Sequence, residues 1–237
     1  MKKSAKLLLY GAAYFILMLL VQETATLVGN VISHMFSYSR IDPYKVFAPK
    51  FVHHIVQMLF ALLIILFIKI KFKQDFGFKQ GNVKTGFLFV GILTLTLAVF
   101  ITLQNLYFYS TISHINYGYP LNAKNIIGSL AFQMLLSGPS EEILFRALPI
   151  TLFIMIFGKS IKLKFGISLE VVIAALLFAF AHLDSPRIDF QIYYSFVLGI
   201  VYGVAYQKSE SIFYPMLMHS ISNVLAVGIG YLFYFFY

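Results

Sequence analysis

The chain has 237 residues, of which 60% are hydrophobic and 11% charged, with a formal net charge of +9 and a mean hydropathy of +0.84. A soluble domain is about half apolar and roughly a quarter charged, so a soluble enzyme, a disordered chain and a disulfide-stapled secreted domain are excluded. Cysteine is absent, which also removes thiol nucleophiles and thiolate metal sites.

A transmembrane helix takes roughly 20 apolar residues. Apolar runs fall at about 7–28, 51–68, 86–107, 125–157, 167–182, 191–206 and 211–236. They are too long for strands, lack alternation and are bounded by Lys, Gly and Pro, which predicts helices. The expected fold class is therefore all-α, a polytopic transmembrane helix bundle of about seven spans, with residues 1–237 forming one integral membrane domain. The opening MKKSAK and its apolar run look like a signal peptide, but the run continues to about Val28 without a small-residue cleavage site. It is read as the first span.

The basic excess is read as orientation rather than nucleic-acid binding, and no nucleic-acid partner is expected. With seven spans and the N-terminus inside, Lys2, Lys3, Lys6, Lys69, Lys71, Lys73, Lys79, Lys84, Lys159, Lys162, Lys164 and Lys208 are cytoplasmic. Only Arg40, Lys45, Lys50, Lys124 and Arg187 face outside. This asymmetry satisfies the positive-inside rule and predicts a multi-pass protein of the cell membrane with a cytoplasmic N-terminus. Splitting 125–157 into two crossings at Gly138-Pro139 would nearly abolish it.

A charge inside a span costs about 2.5–3.5 kcal/mol on insertion scales and marks function. The fourth run carries three such charges, in GPSEEILFR: Glu141, Glu142 and Arg146. Glu142 and Arg146 stand i, i+4 in the favourable order for an ion pair, which predicts a structural role. Glu141, about 100° around the helix, has no expected partner in its own segment. Desolvation would tune such a carboxylate toward general-base work. The fifth run ends with Phe178 and His182, and the seventh holds His219 and Asn223, each pair one helical turn apart.

Two chemistries follow from these residues. Glu141 and His182 can deprotonate a shared water while His219 and Asn223 meet a developing oxyanion. Alternatively, Glu141, His182 and His219 can ligate zinc with an open position for water. His34, His53, His54 and His114, in loops or at span ends, are expected to have no function. One mismatch arises from depth. At 1.5 Å per residue, Glu141 lies about 24 Å in from the outer end of its helix, whereas His182 lies about 21 Å toward the outside along the next. A kinked or interfacial 125–137, turning at Gly138-Pro139, would reconcile the two.

Read in order, EExxxR, FxxxH and HxxxN on separate hydrophobic helices resemble the CPBP family, the CAAX prenyl endopeptidase and bacteriocin-processing intramembrane proteases, also called Abi proteins. The resemblance covers about 125–225. It implies that Glu141 and His182 activate water and that His219 and Asn223 stabilise the oxyanion, with Glu142, Arg146 and Phe178 in support. It further implies a peptide or membrane-anchored protein as substrate, and the lipid bilayer as surroundings. The family carries a metalloprotease label as well as a metal-free, glutamate-based account. The absence of HExxH favours the reading without a cofactor, zinc being the alternative. A non-catalytic immunity or scaffolding protein that binds a partner through the same cluster is the competing class.

Overall fold

A computed structural model of the chain describes residues 3–111, 116–183 and 190–236. Lys2, His114 and Arg187, which enter the expectations above, lie outside the described residues. Among the described residues the chain folds as seven helical rods without a named strand. These are α1 (Lys3–His34), α2 (Ala48–Phe72), α3 (Val83–Thr111), α4 (residues 123–157), α5 (Leu169–Phe180), α6 (Phe190–Ser209) and α7 (Phe213–Phe236). The fold is a helical membrane bundle.

Over Leu9–His34, Ala48–Phe72, Val83–Tyr109 and Phe213–Phe236, the rods α1, α2, α3 and α7 are long and apolar enough to cross a membrane. The other three fall short for different reasons. The α5 rod has 12 residues, about 18 Å; α6 is diluted by Gln, Ser and Lys; α4 carries the buried charges.

Local chemistry sets the ends. Asp42 accepts hydrogen bonds from the backbone N–H groups of Val46, Phe47 and Ala48 at 2.9, 2.7 and 2.8 Å. It thereby satisfies orphan donors at the entrance of α2, where Pro49 fills the first turn. Lys73 closes the same helix in the left-handed conformation, and the Asn122 side chain caps α4 by accepting from Asn125 N.

The chain does not turn at Gly138-Pro139, so the kink that would reconcile the depths of Glu141 and His182 is absent. Ser137 and Gly138 both hold right-handed helical angles, and α4 continues through the proline. Instead, it widens twice into a π turn, at Gln133–Ser137 and Ile143–Ala147. Each π turn ends two residues before a proline, Pro139 and Pro149. A proline ring clashes with the carbonyl four residues back; those carbonyls belong to Leu135 and Phe145, inside the two wide turns. The π turn thus absorbs the clash that would otherwise kink the rod.

The middle of α4 is the hub, touching α2, α5, α6 and α7. Gly138 permits a close approach to α7. A Cβ there would meet Ser220 Oγ at 2.5 Å and the Met216 carbonyl at 2.8 Å, both on α7. One apolar core gathers Leu144, Leu148 and Phe153 of α4 with Met18 of α1, Ile65 of α2 and Leu177 of α5. A second joins α3, α6 and α7 around Tyr202 and Met218. At one end of the bundle, Lys79, Lys162 and Glu210 line a common cavity of about 380 Å³, so the α2–α3, α4–α5 and α6–α7 connections meet there.

Candidate active site

Two charges of α4, Glu142 and Arg146, are buried against α7, and Glu141 lies beside them. Glu142 and Arg146 have no exposed surface, and Arg146 Nη1 stands 2.9 Å from Glu142 Oε1. Among the described residues the guanidinium makes no well-aligned hydrogen bond. Its charge is met by that carboxylate and by two rings: Cζ lies 4.0 Å over Phe178 and 5.3 Å from the centre of Tyr202. The expected ion pair is present, and Phe178 is its apolar support.

Glu142 does more than pair. Its Oε1 also accepts a hydrogen bond from His219 Nδ1 at 2.7 Å. The bond fixes the orientation of an imidazole that stacks on Tyr202 at 5.1 Å. The other ring nitrogen, Nε2, is then directed at Glu141, 3.7 Å from Oε2. A carboxylate orienting one histidine nitrogen so that the other faces the reacting group is a recurrent arrangement in hydrolytic sites.

Glu141 lies in a different setting. Its side chain is 14% exposed, so it is enclosed but reachable. Contrary to expectation it has a partner in its own segment: Ser137 Oγ donates to Glu141 Oε1 at 3.3 Å, one widened turn back. Asn223 Nδ2 in turn donates to Ser137 Oγ at 3.0 Å. Asn223 and Glu141 are therefore linked through one hydroxyl.

His182 falls just beyond α5, in the turn after Phe180, and Glu141 is not within ion-pair distance of it. Its Nδ1 donates to the Phe178 carbonyl at 2.8 Å, which leaves Nε2 as an acceptor in the neutral ring. His182 and His219 both pack edgewise on Phe178, with centroids at 4.6 and 5.6 Å. The aromatic residue of the FxxxH pattern thus separates two histidines while carrying the arginine on its face. The proposed zinc ligands Glu141, His182 and His219 are not gathered as a ligand set. Among the described residues no group of three His, Asp or Glu side chains is arranged to hold a metal ion.

Sequence reasoning passed over His54. Placed at a span end, it was expected to do nothing, yet its Nδ1 is 3.9 Å from Glu141 Oε1 and 2.7 Å from Ser140 Oγ. Ser140 Oγ donates to the Ser137 carbonyl, so the hydroxyl accepts from His54 Nδ1–H. Glu141 is accordingly flanked by two imidazoles, one from α2 and one from α7. His53, next to it, packs against the His54 ring but not against the carboxylates. The only available signal was a histidine pair inside an otherwise apolar run.

Residues 123–225, under half of the chain, match the family model described as Rce1-like, type II CAAX prenyl endopeptidase Rce1-like. No curated protein and no solved structure matches the chain. The matched segment holds all seven residues of the three motifs and excludes α1, α2 and α3, so His54 lies outside it. Through residues 123–225 the chain is similar to the Rce1-like type II CAAX prenyl endopeptidases.

Proposed function

We propose that this protein is an intramembrane endopeptidase that hydrolyses a peptide bond in a peptide or membrane-anchored protein, with Glu141 as general base. The family match supports a CAAX-type endopeptidase in general. The observation that carries the specific assignment is the unequal treatment of two adjacent carboxylates. Glu142 is sealed between Arg146 and His219, whereas Glu141 is enclosed, reachable and flanked by imidazoles.

In this reading Glu141 removes a proton from water as the water oxygen bonds to the scissile carbonyl carbon. The acceptor Nε2 of His182 orients that water. His219, held by Glu142, stabilises the developing oxyanion together with the amide of Asn223. Collapse of the tetrahedral intermediate breaks the C–N bond, and Glu141 returns the proton to the leaving amine. His54 holds Glu141 in register through Ser140. Each step uses this chain's own side chains, and we propose that no metal is required. Equal cleavage before and after exhaustive chelation supports that. Stoichiometric zinc lost together with activity contradicts it.

Comparative peptidomics of cells carrying wild-type or Glu141→Gln protein tests catalysis and identifies the substrate together. A set of peptides that depends on Glu141 is expected. Identical peptide profiles, with the biological effect of the protein retained, would favour the non-catalytic immunity or scaffolding reading.

A further inference from the structure

The connection between α4 and α5, residues 158–168, takes no part in the buried cluster, yet it is a built structure. Its base is a short antiparallel clasp. Leu169 N donates to the Ile161 carbonyl and Leu163 N to the Ile167 carbonyl, both at 2.8 Å, around a bridge between Lys162 and Ser168. Beneath the clasp the buried carboxylate of Glu170 accepts from Ser160 Oγ, from Ile161 N at 3.2 Å and from Gln207 Nε2 at 2.7 Å. Ser168 Oγ completes the ring by donating to Gln207 Oε1. Glu170 is 1% exposed, so its charge is spent inside the protein.

What this base holds up is chemically mixed. Phe165 is 95% exposed and sits at φ 60°, a left-handed conformation that is rare for a bulky residue. Leu163 beside it is 45% exposed. Lys159, Lys162 and Lys164 are all exposed, and the loop contains no acidic residue. A rigid, cationic loop thus presents two apolar side chains outward, at the end of two apolar helices and on the lysine-rich side of the bundle.

We propose that this hairpin is an anchor for anionic phospholipid in the leaflet around the protein. Phe165 and Leu163 insert at the boundary between headgroups and acyl chains, and Lys159, Lys162 and Lys164 hold the headgroup phosphates. The charge complementarity selects this occupant: each lysine close to an anionic surface contributes about a fivefold factor to its occupancy. Three together give on the order of a hundredfold. Because the clasp and Glu170 pre-order the tip, insertion costs little chain entropy. The proposal is independent of the proteolytic reading, since none of these residues touches Glu141.

The chain has no tryptophan, so Phe165→Trp gives a single indole reporter at a site outside the core. In nanodiscs of phosphatidylcholine with phosphatidylglycerol, its emission is expected to shift to the blue. It should also be quenched by lipids brominated near the headgroup and shielded from iodide. Adding K159Q, K162Q and K164Q is expected to lower the ratio of inserted to free tip by on the order of a hundredfold in those discs. In phosphatidylcholine alone the same changes should alter it little. An unchanged thermal midpoint of each variant certifies the fold. An indole open to iodide and untouched by brominated lipid overturns the proposal, as does a triple variant that behaves like its parent. Shielding that arises only when a second protein is added would assign the tip to a protein partner and overturn it too.

Discussion

The first three helices and the fourth rod handle the same membrane in opposite ways. In the most apolar windows of α1, α2 and α3 only 22% of positions are buried. Leu17, Leu63 and Leu95 point outward, as suits helices whose solvent is lipid. Through residues 142–153 of α4, every side chain is buried, Glu142 and Arg146 included. Apolar sequence therefore has two meanings here. In α2 it largely meets the bilayer; in α4 it insulates charges that lipid could not accommodate. Low local dielectric strengthens a paired charge and penalises an unpaired one, which is why Glu142 and Arg146 are buried as a pair.

If that contrast is right, the most damaging substitution should be one that strands a charge in α4. Arg146→Met leaves the buried Glu142 carboxylate without its guanidinium counter-charge. It should cost about 3–5 kcal/mol, read as unfolding of the purified protein in mild detergent. Leu144→Ala, inside the second π turn and fully buried, should cost about 2–5 kcal/mol by opening a cavity. A smaller loss would show that the wide turn collapses around the void.

Asp42→Asn tests how α2 is aimed. The Asp42 carboxyl is held below the usual carboxylate range: its burial works against this, and the three backbone N–H bonds outweigh the burial. A group whose pKa is lowered by folding stabilises above its unfolded value, about 3.9. That contribution is lost as pH falls through the lower folded value. Asp42→Asn should thus cost about 1.5–3 kcal/mol at neutral pH, with the difference from wild type shrinking as pH falls below about 4 and disappearing only below the lower folded value. A gap that persists in acid would contradict the capping role.

His54→Ala should reduce cleavage about tenfold, the size of one supporting interaction of about 1.4 kcal/mol, mainly in kcat. His54→Gln, which retains a donor toward Ser140, should recover part of it. Equal loss in both would mean the imidazole itself is needed. At the small end, Leu63→Ala on the lipid face, 66% exposed, should move stability by less than about 0.5 kcal/mol. A large effect there would mean that α2 is covered by something other than lipid.

The legible part of this molecule was whatever a residue declares about its own neighbourhood. Seven apolar runs became seven rods, and an acid four residues before an arginine became a buried ion pair. Less legible was what depends on the packing between rods. That Glu142 orients His219, 77 positions away, follows from the crossing at Gly138, which periodicity does not encode. His54 was dismissed because its place near a span end was judged along the chain, whereas α2 lies against the middle of α4. Whether the proline at 139 interrupts the rod was left open by the sequence. The outcome was a π turn rather than a break, because the close crossing with α7 and the buried cluster hold the rod together.

The central claim is that adjacent glutamates do different work, and a paired glutamine scan tests it most directly. Cleavage and thermal midpoint are measured on the same preparations of Glu141→Gln and Glu142→Gln. Glu141→Gln should lose about 10²–10⁴-fold in cleavage with its midpoint unchanged, while Glu142→Gln should lose about 3–5 kcal/mol of stability. Cleavage retained in Glu141→Gln, or a stability loss that falls on Glu141 and spares Glu142, would contradict the account.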